Sequence, residues 1–113
     1  IFLDPDPTLV EHVVKTGADR IELYTGPYAN NEIPLNAYAE TAKHATEAGL
    51  GVNAGHDLSL DNLAKFLIAV PNCAEVSIGH ALTADALKMG WPATVTAYLT
   101  AIEYAQKIKK TTD

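Results

Sequence analysis

Two hydrophobic patterns take turns along the chain. Short apolar runs fall at residues 1–3, 21–25, 50–54 and 74–78, and the second alternates in the manner of a strand, Ile21-Glu22-Leu23-Tyr24-Thr25. Between and after them lie stripes at helical spacing. Leu9, Val10, Val13 and Val14 form the first, opened by an Asp6 N-cap with Pro7 at the first helical position and closed at Gly17. Residues 26–31 read as a turn, and an alanine-rich helix over 35–48 ends at Gly49. Leu60, Leu63, Ala64, Leu67 and Ile68 make the strongest stripe, and Pro71-Asn72 breaks it. A short helix over 84–89 gives way at Gly90. Pro92 opens a last one, with Val95, Leu99 and Ile102 on one side and Lys107, Lys109 and Lys110 at a basic end that suits the helix dipole.

Strand–helix alternation repeated four times predicts a parallel α/β sheet with right-handed crossovers. Such a set makes either a small open sheet or half of an eight-fold barrel. The alternation within the runs favours the barrel. Ile21, Leu23, Val52, Ala54, Val76 and Ile78 are assigned to the helix side, and Glu22, Tyr24, Asn53, Gly55, Ser77 and Gly79 to the other. An open sheet covered on both faces is apolar on both. A face bearing Glu22, Asn53 and Ser77 suits a barrel interior near its functional mouth; two satisfied polar residues and an edge glutamate are the plainer account. The expected architecture is therefore the C-terminal four strand–helix units of a (β/α)8 TIM barrel, with residues 1–113 as one half-barrel segment. The chain opens on Ile1 within an apolar run and reads as part of something longer.

Two segments 24 positions apart repeat each other. Val52-Asn53-Ala54-Gly55-His56-Asp57-Leu58-Ser59 lies in register with Val76-Ser77-Ile78-Gly79-His80-Ala81-Leu82-Thr83, and Asp and Leu recur beyond. Each unit reads as a strand, a Gly-His turn and a hydroxyl N-cap opening a helix. Glycine lets a ligand approach the backbone, and a helix start offers unpaired N–H groups to an anion. Phosphate sites of barrels commonly lie after the last two strands. His56 and His80 stand at strand C-termini and can pass protons near neutral pH; the plain alternative for each is a histidine bonded to turn backbone. Glu22 is the third candidate, since a carboxylate facing a barrel interior is costly unless paired or used. Arg20, preceding the same strand, reads as outside the alternation and so as a poor partner for it. Tyr24 and Thr25 are assigned to the same mouth. All seven lysines fall on helical segments or their ends, so a Schiff-base nucleophile is not expected and acid–base chemistry is.

Composition narrows the partners. Fourteen acidic against eight basic residues give a net charge of −6, and without a basic stripe neither nucleic acid nor an anionic membrane surface is expected. No apolar run approaches the ~20 residues that span a bilayer. A phosphate on so acidic a chain must be held by N–H groups, hydroxyls or imidazoles. The one cysteine, Cys73, excludes an internal disulfide framework and fits a reducing, cytoplasmic compartment. No metal-ligand spacing is present, and no metal or cofactor is expected.

The set Ile21-Glu22-Leu23-Tyr24-Thr25-Gly26, Val52-Asn53-Ala54-Gly55-His56-Asp57-Leu58 and Ser77-Ile78-Gly79-His80-Ala81 resembles the pyridoxine 5′-phosphate synthase family over essentially the whole chain. The resemblance implies a transferase-type synthase of vitamin B6 synthesis. It condenses 1-deoxy-D-xylulose 5-phosphate with 3-amino-2-oxopropyl phosphate into pyridoxine 5′-phosphate, inorganic phosphate and water. It implies His56 as proton donor and Glu22 as transition-state stabiliser, with Asp57, Gly79 and His80 contacting the aminoketone phosphate. Many members have glycine at the place of Asp57, so its backbone N–H is expected to face the ligand, with the carboxylate turned away. The family's remaining acid–base residues lie in the other barrel half, so the segment alone is expected to be inactive. The resemblance further implies phosphorylated small molecules as partners and a homo-oligomer, an octamer. Two other readings stand beside it: a half-barrel that binds a phosphorylated ligand without reaction, and a truncation product that associates through open sheet edges.

Overall fold

The computed structural model describes residues 2–112, with side chains through residue 108; Ile1 and the side chains of Lys109 and Lys110 lie outside the described residues. Strands β1 (Phe2–Leu3), β2 (Arg20–Tyr24), β3 (Gly51–Gly55) and β4 (Cys73–Ser77) form one parallel sheet in the order β1-β2-β3-β4. Each new strand joins the same edge. That progression lacks the reversal of strand order that marks doubly wound sheets, and it is how a barrel wall grows.

The expected alternation holds. Ile21, Leu23, Val52 and Ala54 are buried in one cluster with helix residues, and Val76 and Ile78 pack against it. Register puts Phe2 beside Glu22, Glu22 beside Asn53, Asn53 beside Glu75, and Tyr24 beside Gly55, itself beside Ser77. The opposite face is thus polar and aromatic from edge to edge. Arg20 belongs to this face, contrary to its expected place outside the alternation. It is the first residue of β2, and its guanidinium lies over Gly51 and donates to Asn53 Oδ1 at 2.9 Å.

On the other face, a 3-10 turn (Pro7–Leu9) leads into α1 (Val10–Lys15). Asp6 caps the turn as expected, accepting from Thr8 N at 3.0 Å. Gly17 and Gly49, the expected C-terminal caps, hold left-handed φ of 79° and 85°. Helix α3 (Leu35–Glu47) carries the buried Tyr38. The Tyr38 hydroxyl donates to Tyr24 O at 2.8 Å and accepts from Tyr28 N at 3.2 Å. Burial pushes this phenol up to about 12, so at neutral pH it stays a donor that ties the end of β2 to α3. The rings of Tyr28, Tyr38 and Phe66 meet with centroids 5.6–6.0 Å apart. Phe66, on α4 (Leu63–Ala69), is fully buried.

Four expectations need correction. Residues 26–31 are not only turn: Gly26–Ala29 is a short helix, α2, with Pro27 in its first turn, where a missing N–H costs nothing. The helix read from Leu60 begins at Leu63, because residues 59–62 form a local turn. There Ser59 N donates to Asn62 Oδ1 at 2.8 Å and Asp61 N to Ser59 Oγ at 3.2 Å, which leaves no Ser59 cap on α4. The helix expected over 84–89 is α5, His80–Met89. Good helix formers, Ala81, Leu82, Ala84 and Ala86, carry it back to Gly79, whose carbonyl accepts from Thr83 N at 3.0 Å. Thr83 therefore sits inside the first turn rather than capping it.

The fourth correction concerns α6 (Trp91–Thr112). It buries Thr94, Tyr98 and Ala105; of the expected apolar stripe Val95, Leu99 and Ile102, Ile102 packs against the core while Val95 and Leu99 are 45% and 54% exposed. Tyr98 Oη donates to Asp85 Oδ2 on α5 at 2.8 Å, whereas Thr94 Oγ1 donates to Gly90 O at 2.8 Å within the helix's own first turn; α6 packs on α4 and α5. No helix among the described residues is long and apolar enough to cross a membrane.

Candidate active site

Every strand ends on the same rim, and the loops that leave it carry the candidate residues. Glu22 lies half-buried on the inner face of β2, with its carboxylate over β3. A Cβ built on Gly55 would stand 2.6 Å from Glu22 Oε2 and 3.3 Å from Ser77 Cβ. Glycine at 55 thus leaves the room in which the Glu22 carboxylate lies, and a side chain there would displace it, a reason distinct from the expected approach of a ligand.

Beyond Gly55 the backbone turns through two successive left-handed residues, His56 at φ 91° and Asp57 at φ 58°. Neither is glycine, and such conformations concentrate where the surroundings over-determine them. Here the surroundings are visible. Thr25, fully buried, donates from its amide to Gly55 O at 2.9 Å and from its hydroxyl to His56 O at 2.5 Å. Asn62 Nδ2 donates to Asp57 O at 3.2 Å. The His56 ring meets Tyr24 and Phe2 edge-on, with centroids 4.8 Å and 5.7 Å away. Asp57 directs Oδ2 to within 3.4 Å of the place a Gly26 Cβ would occupy, on the side where the Tyr24 hydroxyl lies.

The second Gly-His turn is built differently. Gly79 is the N-cap of α5 and His80 its first residue, with no side-chain cap. The sequence repeat therefore yields two unlike corners: one strained loop presenting an imidazole, and one helix N-terminus with amides directed at the rim.

Glu22, His56, Asp57, Gly79 and His80 line one cleft of about 470 Å³, with Phe2, Ser77 and Ile78 completing its wall; Ile78, expected on the helix side alone, follows the end of β4 and borders both the core and the cleft. An adjoining cleft of about 410 Å³ is bordered by Phe2, Asp4, Tyr24 and again His56. The structure thus brings all five expected residues together and places the His56 imidazole between two spaces. The carboxylate inside the first cleft is that of Glu22, while the Asp57 carboxylate is directed toward Gly26 and the Tyr24 hydroxyl, outside the cleft's lining, so an anion there depends on imidazoles and the amides of α5. Among the described residues no group of three or more His, Cys, Asp or Glu side chains is arranged to hold a metal ion. Cys73 stands at the opposite end of β4 from the rim, and burial raises its thiol to about 11.

Phe2 was not singled out by sequence. Its only signal was an aromatic residue in register with Glu22 on the polar face, legible only once β1 is paired. Thr25, expected to line the mouth, lies buried beneath it, joined to the turn that carries His56.

A family model described as pyridoxal phosphate biosynthesis protein PdxJ matches residues 1–104. Among curated proteins, the chain is 56% identical to a pyridoxine 5′-phosphate synthase of Albidiferax ferrireducens over 108 residues, which is 90% of this chain and 43% of that protein. It is 51% identical to one of Brucella abortus and 50% identical to one of Brucella suis, over 109 residues, 90% of this chain and 44% of either relative. The chain therefore spans less than half the length of these relatives. A consecutively ordered parallel sheet with a polar inner face, matched along almost its whole length by one family, leads to one conclusion: this chain belongs to the PdxJ family of pyridoxal phosphate biosynthesis proteins, and its fold is a four-strand part of their TIM barrel.

Proposed function

We propose that this chain supplies the second half of the active site of a cytoplasmic pyridoxine 5′-phosphate synthase, and that the complete barrel condenses 1-deoxy-D-xylulose 5-phosphate with 3-amino-2-oxopropyl phosphate. The supporting observation is the shared cleft of Glu22, His56, Asp57, Gly79 and His80, with His56 also bordering a second space. Condensing an amine with a ketone passes through a carbinolamine, whose hydroxyl leaves as water only once protonated. An imidazolium at position 56 donates that proton. The resulting iminium is cationic, and the half-buried Glu22 carboxylate stabilises it more strongly than an exposed one would. The phosphate of the aminoketone lies against the amides at the start of α5 and the His80 ring.

The test is product formation. The complete barrel carrying these residues, supplied with both substrates, releases pyridoxine 5′-phosphate and inorganic phosphate, followed by chromatography and phosphate assay. Absence of product from a folded barrel overturns the proposal.

Asp57 gives a separate prediction. Its φ of 58° favours glycine, and its carboxylate, directed toward Gly26 and the Tyr24 hydroxyl, still places a negative charge beside the cleft assigned to phosphate. Asp57→Gly is expected to raise unfolding stability by about 0.5–1 kcal/mol and to tighten inorganic phosphate binding. Calorimetry measures both. A less stable variant with unchanged phosphate affinity contradicts the assignment.

A further inference from the structure

We propose that Thr25 is a positioning residue for His56: its buried hydroxyl fixes the left-handed turn that holds the imidazole between the two clefts. This deepens the function proposed above and rests on His56 being the proton donor.

The argument begins with what an isolated His56-Asp57 turn would do. Two consecutive non-glycine residues at φ 91° and 58° would relax to ordinary backbone without an external restraint. Relaxation would swing the His56 side chain off the rim. The Thr25 hydroxyl opposes this by donating to the His56 carbonyl at 2.5 Å, while the Thr25 amide secures the preceding residue through Gly55 O at 2.9 Å. Both bonds come from one residue that is fully buried, where water cannot substitute for a lost donor. Thr25 immediately follows Tyr24, whose ring meets the imidazole edge-on and whose carbonyl is held by Tyr38. The end of β2 thus acts on His56 twice, through the ring from Tyr24 and through the backbone from Thr25. Thr25 touches no open part of either cleft, so its effect on the reaction passes entirely through His56.

The experiment uses the complete barrel with Thr25→Val, which keeps the shape and removes the donor, and Thr25→Ser, which keeps the donor and removes a methyl. Thr25→Val is expected to lower kcat about 10- to 100-fold, as misplacing a reacting group by an ångström does. KM for each substrate should change less than about threefold, in line with loss of an interaction used in the chemical step. Thr25→Ser should restore kcat to within about threefold of the parent. Imidazole NMR resonances of His56 should move in the valine variant, with those of His80 unchanged. A valine variant with parental kcat and parental His56 resonances overturns the proposal, as does a serine variant as impaired as valine. If His56 resonances move while His56→Asn leaves kcat untouched, the positioning stands and the proton-donor role of His56 falls. Should valine prevent folding, Thr25→Ala, which also removes the donor, takes its place, and an alanine variant with parental kcat and parental His56 resonances overturns the proposal.

Discussion

His56→Asn in the complete barrel is expected to lower kcat by about 10²–10⁴ while leaving the fold and both KM values close to the parent. Asparagine suits this test for a backbone reason. His56 sits at φ 91°, and asparagine is among the few side chains enriched at positive φ, so the turn and its bond from Thr25 are retained. What is lost is a ring that can carry and release a proton. His80→Asn separates the two histidines. His80 opens α5 and is assigned to the aminoketone phosphate, so its loss should raise KM for that substrate more than it lowers kcat. Steady-state kinetics with each substrate varied in turn supplies both numbers. If His56→Asn retains most of kcat while His80→Asn abolishes it, the two roles are reversed.

Phe66→Ala is expected to cost about 3–5 kcal/mol of stability, the range for deleting a buried aromatic ring. Phe66 is fully buried and joins Tyr28 and Tyr38 in the aromatic trio that packs α4 against α2 and α3. A domain stable by about 5–15 kcal/mol loses a large part of its margin by this change. The consequence reaches the rim, because Tyr38 holds the Tyr24 carbonyl and Tyr28 Oη donates to Asn62 O at 2.8 Å. Urea denaturation of parent and variant measures the difference. A loss below about 1 kcal/mol would mean that the neighbouring rings close over the cavity and that the trio is no keystone. Phe66→Leu, which keeps most of the volume, should cost less than about 1.5 kcal/mol.

The sequence by itself determined the four parallel strands, the buried sides of β2 and β3, the caps at Asp6, Gly17 and Gly49, and the group of residues that meets at the rim. These follow from local rules. A period of two allots side chains to the two faces of a strand, and in a parallel sheet all C-terminal ends share one rim, so Glu22, His56 and His80 converge without knowledge of any angle. Three things were decided only by tertiary structure. The matched Gly-His turns became unlike corners, because Thr25, 31 positions away at the end of β2, holds the His56 turn in a left-handed bend, while the His80 turn, without that left-handed bend, opens α5 directly. α6 packs through Thr94, Tyr98 and Ile102 while Val95 and Leu99 of the same stripe stay exposed, with Tyr98 bonded to Asp85 of α5. Arg20 and Phe2 joined the inner face through strand register, which pairs residues 20 and 31 positions apart. Periodicity reports which residues share a face of their own element; which partner that face meets is set by hydrogen bonds between distant segments, and no local pattern encodes them.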